Sequence, residues 1–547
     1  MSEPSGIGRR ALSVVRIGAM MGRSGLLQPG SPVRMAGQLT ALRRWGTVLG
    51  GSFVSAAARD PHRLAIIDDL GELTYAQVDA RTNSLAAALH DPGDVLRVAV
   101  LCRNHRWMVE SLVACSKAGA DVVLLNTGMS VGQLLTVLDQ QHVGVLIADA
   151  EFAELLTAVP PSVRTVTAGG ADSRIEELMA SRPGTALVPP RQPGRTIVLS
   201  SGTTGQPKGA DRHSRPGLSP MASMLSRIPL RVHDMTLIEA PLFHTWGYAA
   251  LQLAIGLRHT VVLNRRFDPE LSLQILAKTK GTVLIAVPVM LARMVELPAQ
   301  VRATFDVSSM RIAAVSGSAL PGGLATRFMD EFGEVLYNLY GSTESSWVTI
   351  ATPHDLRQSP DTAGTPPPGT RLAVLDRAGR PVPAGTRGRI FAANELLFAG
   401  YTTGAAKTMH DGLMSLGDIG HLDERGRLFV HGRDDDMVIS GGENIFPGEV
   451  EEVLGRLPQV RDVAVVGVPD EEFGQRLAAH VVLVPGADLT ADAVRAYARE
   501  HVARFAVPRD VLFVDELPRN ATGKIVRRNL AGQRADDGPA PPAGGAR

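Results

Sequence analysis

The apolar run Thr196-Ile-Val-Leu199 leads straight into Ser200-Ser-Gly-Thr-Thr-Gly-Gln-Pro-Lys-Gly-Ala210. A buried strand that ends in such a stretch brings backbone N–H groups, several hydroxyls and one ammonium to a single point. Glycine lets the main chain approach closely, and converging donors with positive charge suit a polyphosphate. The segment is not a Walker A loop, because Gly202 to Lys208 lacks the Gly-Lys-Ser/Thr ending. A flexible surface turn is the competing reading, and Pro207 with the preceding strand counts against it.

The same alternation of short apolar runs and helical segments extends from about 61 to 350. Val98-Ala-Val-Leu101 precedes a helix over 106–118, Asp121-Val-Val-Leu-Leu125 precedes one over 132–141, and Gly144-Val-Leu-Ile-Ala148 precedes one over 152–158. Val261-Val-Leu263, Thr282-Val-Leu-Ile-Ala286, Ile312-Ala-Ala-Val315 and Val335-Leu336 continue it. Such runs predict parallel sheets covered on both faces, with ligands at the carboxyl ends of the strands. Around 353–400 proline and glycine punctuate short strands, as in a small β-barrel or meander. A last α/β unit runs from about 436 to 530, with helices over 447–457 and 491–504 and strands over 463–468, 480–484 and 510–514. The tail after 530 reads as disordered by composition.

A chain of 547 residues needs more than one core. Its net charge of +1 makes no electrostatic case for nucleic acid. Cys102 and Cys115 form neither a zinc spacing nor a disulfide framework, so a reducing, cytoplasmic compartment is expected. The first 44 residues carry seven arginines and one acid, Glu3. Arg16 interrupts the apolar segment after Arg9-Arg10, which argues against an export signal. Met35, Leu39, Leu42, Trp45 and Leu49 recur at helical spacing beside Arg43 and Arg44. That stripe is expected to pack against its own domain; the alternative is a helix resting on the inner face of a membrane, a weak peripheral contact. Lysine is scarce, and two of the six, Lys208 and Lys524, stand inside glycine-containing loops, where a compact ammonium on a flexible stem can do what a planar guanidinium cannot.

Five further segments follow the opening stretch in order. They are Pro241-Leu-Phe-His-Thr-Trp-Gly247, Tyr337-Asn-Leu-Tyr-Gly-Ser-Thr-Glu344, Ser415-Leu-Gly-Asp-Ile-Gly420, the stretch from Gly432 to Glu449, and Pro518-Arg-Asn-Ala-Thr-Gly-Lys524. With these motifs the chain resembles the adenylate-forming superfamily over about residues 50–530, and within it the actinobacterial long-chain fatty acyl-CoA synthetases. The resemblance implies an α/β architecture: a large N-terminal domain of two βα subdomains plus a small β-barrel over 51–434, and a small mobile C-terminal α/β domain over 435–530. A basic extension, 1–50, and a tail, 531–547, flank them.

The resemblance also implies a reaction. A carboxylate is a poor electrophile; joined to the α-phosphate of ATP it becomes an acyl adenylate that a thiol can attack. Ser200, Ser201, Gly202, Thr203, Thr204, Gly205 and Lys208 would hold the β- and γ-phosphates. Thr343 would contact the α-phosphate and Glu344 would ligate Mg²⁺ as a hard oxygen donor. Asp418, read as lying between two glycines in a turn, would accept both ribose hydroxyls, with Arg433 in support. Gly317, Ser318 and Ala319 would line the adenine and Tyr340 would face its ring. His244, between Phe243 and Trp246, resembles the gate to the acyl pocket, while Gly341 and Ser342 leave room for an alkyl chain. Lys524 would reach the α-phosphate and the substrate carboxylate in one orientation of the small domain. Asp435 matches the hinge, and Gly441 with Gly442 matches the loop facing the site in the CoA-binding orientation.

Each residue has a blander reading in isolation: Thr343-Glu344 as a helix cap, Asp418 as a turn aspartate, His244 as a core histidine, Gly523-Lys524 as a surface turn. The order of the motifs favours the functional one. The expected activity is ATP-dependent activation of a medium- or long-chain fatty acid and its transfer to CoA. The alternatives are an acyl-AMP ligase that loads a carrier protein and a silent acyl- or nucleotide-binding relative. No carrier domain follows Lys524, and intact Lys208, Glu344, Asp418 and Lys524 oppose the silent reading. The oligomeric state is left open.

Overall fold

The computed structural model describes residues 18–89, 96–171, 173–201, 207–212, 219–402, 404, 406–434, 436–440, 443–470, 474–520 and 523–531. Arg164–Ala168, Val145–Asp149, Arg97–Leu101, Asp121–Leu124 and Thr196–Ser201 lie side by side in that order, all parallel. Asp121–Leu124 and Val145–Asp149 are buried at every residue, which is why they read as apolar runs without alternation. Pro207–Arg212 turns back antiparallel on Thr196–Ser201 and carries the short strand Gly400–Tyr401 on its outer edge.

A second sheet runs Ser346–Ala351, Leu336–Ser342, Ile312–Val315, Val283–Ala286, Met235–Ile238, Thr260–Leu263, Leu64–Asp68 and Gly71–Thr74. Its six inner strands are parallel and its two edges antiparallel. Leu64–Asp68 precedes the first sheet in the chain yet pairs with Thr260–Leu263 in the second. One apolar core joins the two sheets and takes in Phe53, Tyr75, Leu112, Leu251 and Phe328. The expected small β unit is an antiparallel sheet of Arg371–Leu375, Gly388–Ala393, Leu413–Leu422, Met409–His410 and Leu428–Arg433, so it extends past 400.

The last unit stacks the helices Pro447–Leu454 and Ala491–His501 on the strands Val460–Asp470, Gly474–Leu483 and Asp510–Phe513. Val450, Leu454, Val465, Val481, Val494 and Ala498 form its core. Helix 447–457 stops early, and 491–504 closes in a 3-10 turn, Arg504–Ala506. Likewise 152–158 divides into a 3-10 turn Ala150–Phe152 and one α-turn, Ala153–Leu156.

The N-terminal stripe is not one helix. Pro32–Trp45 ends at Gly46, whose φ of 73° lies in the left-handed region, and Leu49–Arg59 begins anew. The second helix buries Leu49, Phe53, Ala56 and Ala57 in the main core, whereas Leu39 on the first is 60% exposed. Thus only part of the expected stripe packs against its own domain. No helix among the described residues is long and apolar enough to cross a membrane.

Candidate active site

The opening stretch forms a hairpin, so Lys208 belongs to a strand and not to a loop. Ser200 stands opposite Lys208, and Ser201 opposite Pro207. Gly202, Thr203, Thr204 and Gly205 lie outside the described residues, as do Asp435, Gly441 and Gly442. The hairpin is tied to the second sheet through residues 398–402. Thr402 N–H donates to the Gly209 carbonyl at 2.8 Å, Ala399 N–H to that of Asp211 at 3.0 Å, and Phe398 N–H to that of Glu344 at 2.8 Å. A side chain at Gly209 would collide with Thr402 Oγ1 at 2.7 Å, which explains the glycine.

Thr343 and Glu344 sit in the tight turn between Leu336–Ser342 and Ser346–Ala351, not at a helix cap. Gly341 has its own reason there. A Cβ would lie 1.7 Å from the Ser346 carbonyl oxygen, where the hairpin register slips, so the glycine serves the turn before any substrate. Glu344 is 7% exposed, and the Tyr401 hydroxyl donates to its Oε1. Burial alone would raise its pKa; Tyr401, Lys407 and Ser342 more than offset this and hold it below the usual value. Thr245 Oγ1–H, in the first turn of helix Thr245–Gly256, donates to Thr343 Oγ1 at 3.4 Å.

Asp418 is a strand residue and not a turn residue. It lies within Leu413–Leu422, directly opposite Arg433 on Leu428–Arg433. The Tyr340 hydroxyl donates to Asp418 Oδ2 at 2.5 Å, and Arg433 Nη1 stands 3.6 Å from Oδ1. Burial raises the Asp418 pKa, with Arg433 and Tyr340 pulling against it. Ser316 Oγ–H donates to the Leu339 carbonyl at 2.8 Å, which holds the 316–319 turn beside Tyr340. Gly317 there has φ 100°, Ser318 is half-buried and Ala319 exposed.

The C-terminal unit reaches into this place. Asn520 N–H donates to the Lys524 carbonyl, and Lys524 N–H to Asn520 Oδ1, both at 2.9 Å, closing a tight loop. A Cβ on Gly523, whose φ is 79°, would lie 2.5 Å from Val289 Cγ1 of the large unit. Lys524 is exposed, and the charges that act on it come from the large unit. Burial and Arg433 lower its pKa, while Asp418 and Glu344 raise it. Burial and the Lys524 charge also push His244 down to about 3, so its imidazole is neutral. The fold therefore gathers His244, Glu344, Asp418, Arg433 and Lys524 from five separate segments. Tyr401 and Lys407 join them unforeseen. The Tyr401 hydrogen bond to Glu344 and the Lys407 charge acting on it reveal them.

Family models supply the parentage of this arrangement. That of the AMP-binding enzyme matches residues 53–402, and that of the AMP-binding enzyme C-terminal domain matches 449–524. The chain belongs to the AMP-binding enzyme family. This AMP-binding enzyme is 33% identical over 494 residues to feruloyl-CoA synthase of Amycolatopsis sp, a match covering 88% of the chain and 97% of that protein. It is 32% identical to indoleacetate–CoA ligase of Aromatoleum aromaticum, over 86% of the chain and 94% of that protein. The solved anthranilate CoA ligase with anthranoyl-AMP superposes with a TM-score of 0.80 at 26% identity, over 89% of the chain and 96% of that structure. As an AMP-binding enzyme of the CoA-ligase type it uses ATP, Mg²⁺ and CoA.

Tyr401 gives a direct test of the electrostatics in this AMP-binding enzyme. In the metal-holding role proposed below, Glu344 would act as the carboxylate, above its depressed pKa. Tyr401→Phe removes the donor that depresses it, so the acid limb of kcat/KM for ATP should move toward neutral pH. The Mg²⁺ concentration for half-maximal activity should rise about tenfold, as for a lost hydrogen bond to a charged group. An unchanged pH profile and Mg²⁺ requirement would detach Tyr401 from the site.

Proposed function

We propose that this protein activates an apolar carboxylic acid, of aryl or medium-chain acyl size, to its acyl adenylate and passes the acyl group to CoA. The observation that carries the reading is Lys524, brought from the C-terminal unit to Asp418, Glu344 and His244 of the large unit. In the first step a carboxylate oxygen attacks the α-phosphorus of ATP, the α–β bond breaks and pyrophosphate leaves. Lys524 neutralises charge shared by the two anions, and the hairpin from Ser200 to Lys208 holds the departing phosphates. Asp418, oriented by Tyr340 and Arg433, takes the ribose hydroxyls. Glu344, a hard donor kept ionised, would hold Mg²⁺, which screens phosphate charge. In the second step the CoA sulfur attacks the acyl carbon and AMP leaves.

Neutral His244 admits the acid without a second charge. Trp246, 7% exposed, then stands in the way, its indole N–H bound to the Ala286 carbonyl at 3.0 Å. Similar proteins are named for feruloyl, indoleacetate and anthranilate substrates, which supports an acid of that bulk. A long straight fatty acid is the second reading, favoured by the apolar space beyond Trp246, and it requires the indole to move. Trp246→Ala should accordingly shift kcat/KM toward longer acids by about fourfold per added methylene, since each buried methylene adds about 0.8 kcal/mol. A length profile identical to wild type would remove Trp246 from the acyl path. The test of the function is acid-dependent AMP release across straight, branched and aromatic acids, with CoA or a phosphopantetheinyl carrier as acceptor. Turnover with CoA is expected; preference for the carrier, or no acid-dependent pyrophosphate exchange, would overturn it.

A further inference from the structure

Between Glu3 and Asp60 the chain has eight arginines and no acidic residue, so with +1 overall the remainder is negative by seven. The helix Pro32–Trp45 stands inside this basic stretch and carries Arg34, Arg43 and Arg44. Its two faces differ in kind. On one, Ala41 is buried, Leu42 and Trp45 are half-buried, and a Cβ on Gly37 would stand 3.7 Å from that of Ala58 in the helix Leu49–Arg59. The other face is open. Pro32, Ala36, Leu39 and Arg43 follow one another at helical spacing and are all exposed, with Val33 and Met35 on either side of that line. Val33 is 80% exposed and Leu39 60%.

The helix is fastened in this orientation. Val232 N–H donates to the Ser24 carbonyl at 2.8 Å, and Arg59 Nη2–H donates to that of Gln28 at 3.1 Å, which ties the approach to the helix onto the large unit. Its packing face is thus already filled, and the exposed apolar side chains are surplus to the core. A helix on a protein surface ordinarily turns polar side chains outward. This one turns out Val33, Met35 and Leu39 among arginines, with no acid in the helix. That combination suits a lipid interface, where apolar side chains enter the acyl boundary and cations meet anionic headgroups. Charge narrows the occupant further. A twofold contact with a second copy would set Arg43 and Arg44 against the same arginines of that copy. A polyanion would satisfy the arginines yet leave Val33 and Leu39 in water.

We propose that the outer face of Pro32–Trp45 is a docking surface for an anionic lipid leaflet, on which the helix lies in the plane of the interface without crossing it. Val33, Met35 and Leu39 supply the apolar contact, and Arg34, Arg43 and Arg44 supply the attraction to the headgroups. Each arginine close to an anionic leaflet multiplies partitioning by about fivefold. That share is screened by salt, whereas the apolar share is not. The inference goes beyond the adenylating reading and does not depend on which acid is activated.

The test is flotation of the full-length protein with vesicles of phosphatidylcholine alone and of phosphatidylcholine mixed equally with phosphatidylglycerol. The protein should float with the mixed vesicles, stay behind with phosphatidylcholine, and come off as salt is raised. Arg43→Gln/Arg44→Gln should weaken partitioning by about 25-fold. Val33→Ser/Leu39→Ser, which leaves every charge in place, should weaken it by about tenfold or more. All four side chains are exposed, so both variants should melt as wild type does. Arg499→Gln/Arg504→Gln removes the same charge from exposed positions of the C-terminal unit and should leave partitioning within about twofold of wild type. Equal flotation with both vesicle types, or wild-type partitioning by either N-terminal variant, would overturn the inference. So would a dimer in ultracentrifugation that Val33→Ser/Leu39→Ser dissolves, because the face would then belong to a second copy.

Discussion

Lys524→Ala should lose acid-dependent pyrophosphate exchange by about 10²–10³-fold, as expected on removing one preorganised charge from the point where anionic charge develops. The same variant, given synthetic acyl adenylate and CoA, should make acyl-CoA within a few-fold of wild type. The difference arises because the ammonium is needed where a carboxylate approaches an α-phosphate, two anions that repel. Once the adenylate exists, the second step is thiol attack on a carbonyl and needs no cation there. Lys524 stands on a loop closed by Asn520 and seated on Val289, so truncating its side chain leaves the loop's own hydrogen bonds intact. Equal loss of both half-reactions would make Lys524 a structural residue and undo the assignment.

Glu344→Ala should weaken the ATP step by about 10²-fold and abolish its saturable response to Mg²⁺, with the thioester step from supplied adenylate much less affected. The carboxylate is the hard oxygen donor of the turn between Leu336–Ser342 and Ser346–Ala351, and Tyr401 and Lys407 keep it ionised. Its loss also removes one acceptor of the Tyr401 hydroxyl, which makes Glu344→Gln the companion variant: the amide oxygen keeps that hydrogen bond but not the charge. If both variants retain the wild-type Mg²⁺ curve, Glu344 is a turn residue and the ion is held elsewhere.

Much of this was legible beforehand where chemistry is local. Strands buried on both faces announce themselves as apolar runs, so Asp121–Leu124, Val145–Asp149 and Ile312–Val315 could be read directly. Errors came where a local signal has two causes. Glycines around Asp418 suggested a turn, but Gly417 adopts φ 78° inside a strand where a side chain would crowd Arg433. The glycine at 341 suggested pocket space, but the hairpin backbone alone demands it. The N-terminal stripe kept helical spacing across Gly46, although the glycine ends one helix and a second begins at Leu49.

Sequence by itself determined the order of motifs, the parallel α/β class and the identity of most charged groups at the site, because these depend on neighbours within one strand or turn. Only the tertiary structure decided that Leu64–Asp68 joins the second sheet and that Tyr401 supports Glu344. Those facts are set by contacts between segments tens or hundreds of residues apart, and no local periodicity records which distant surface a buried polar group will meet.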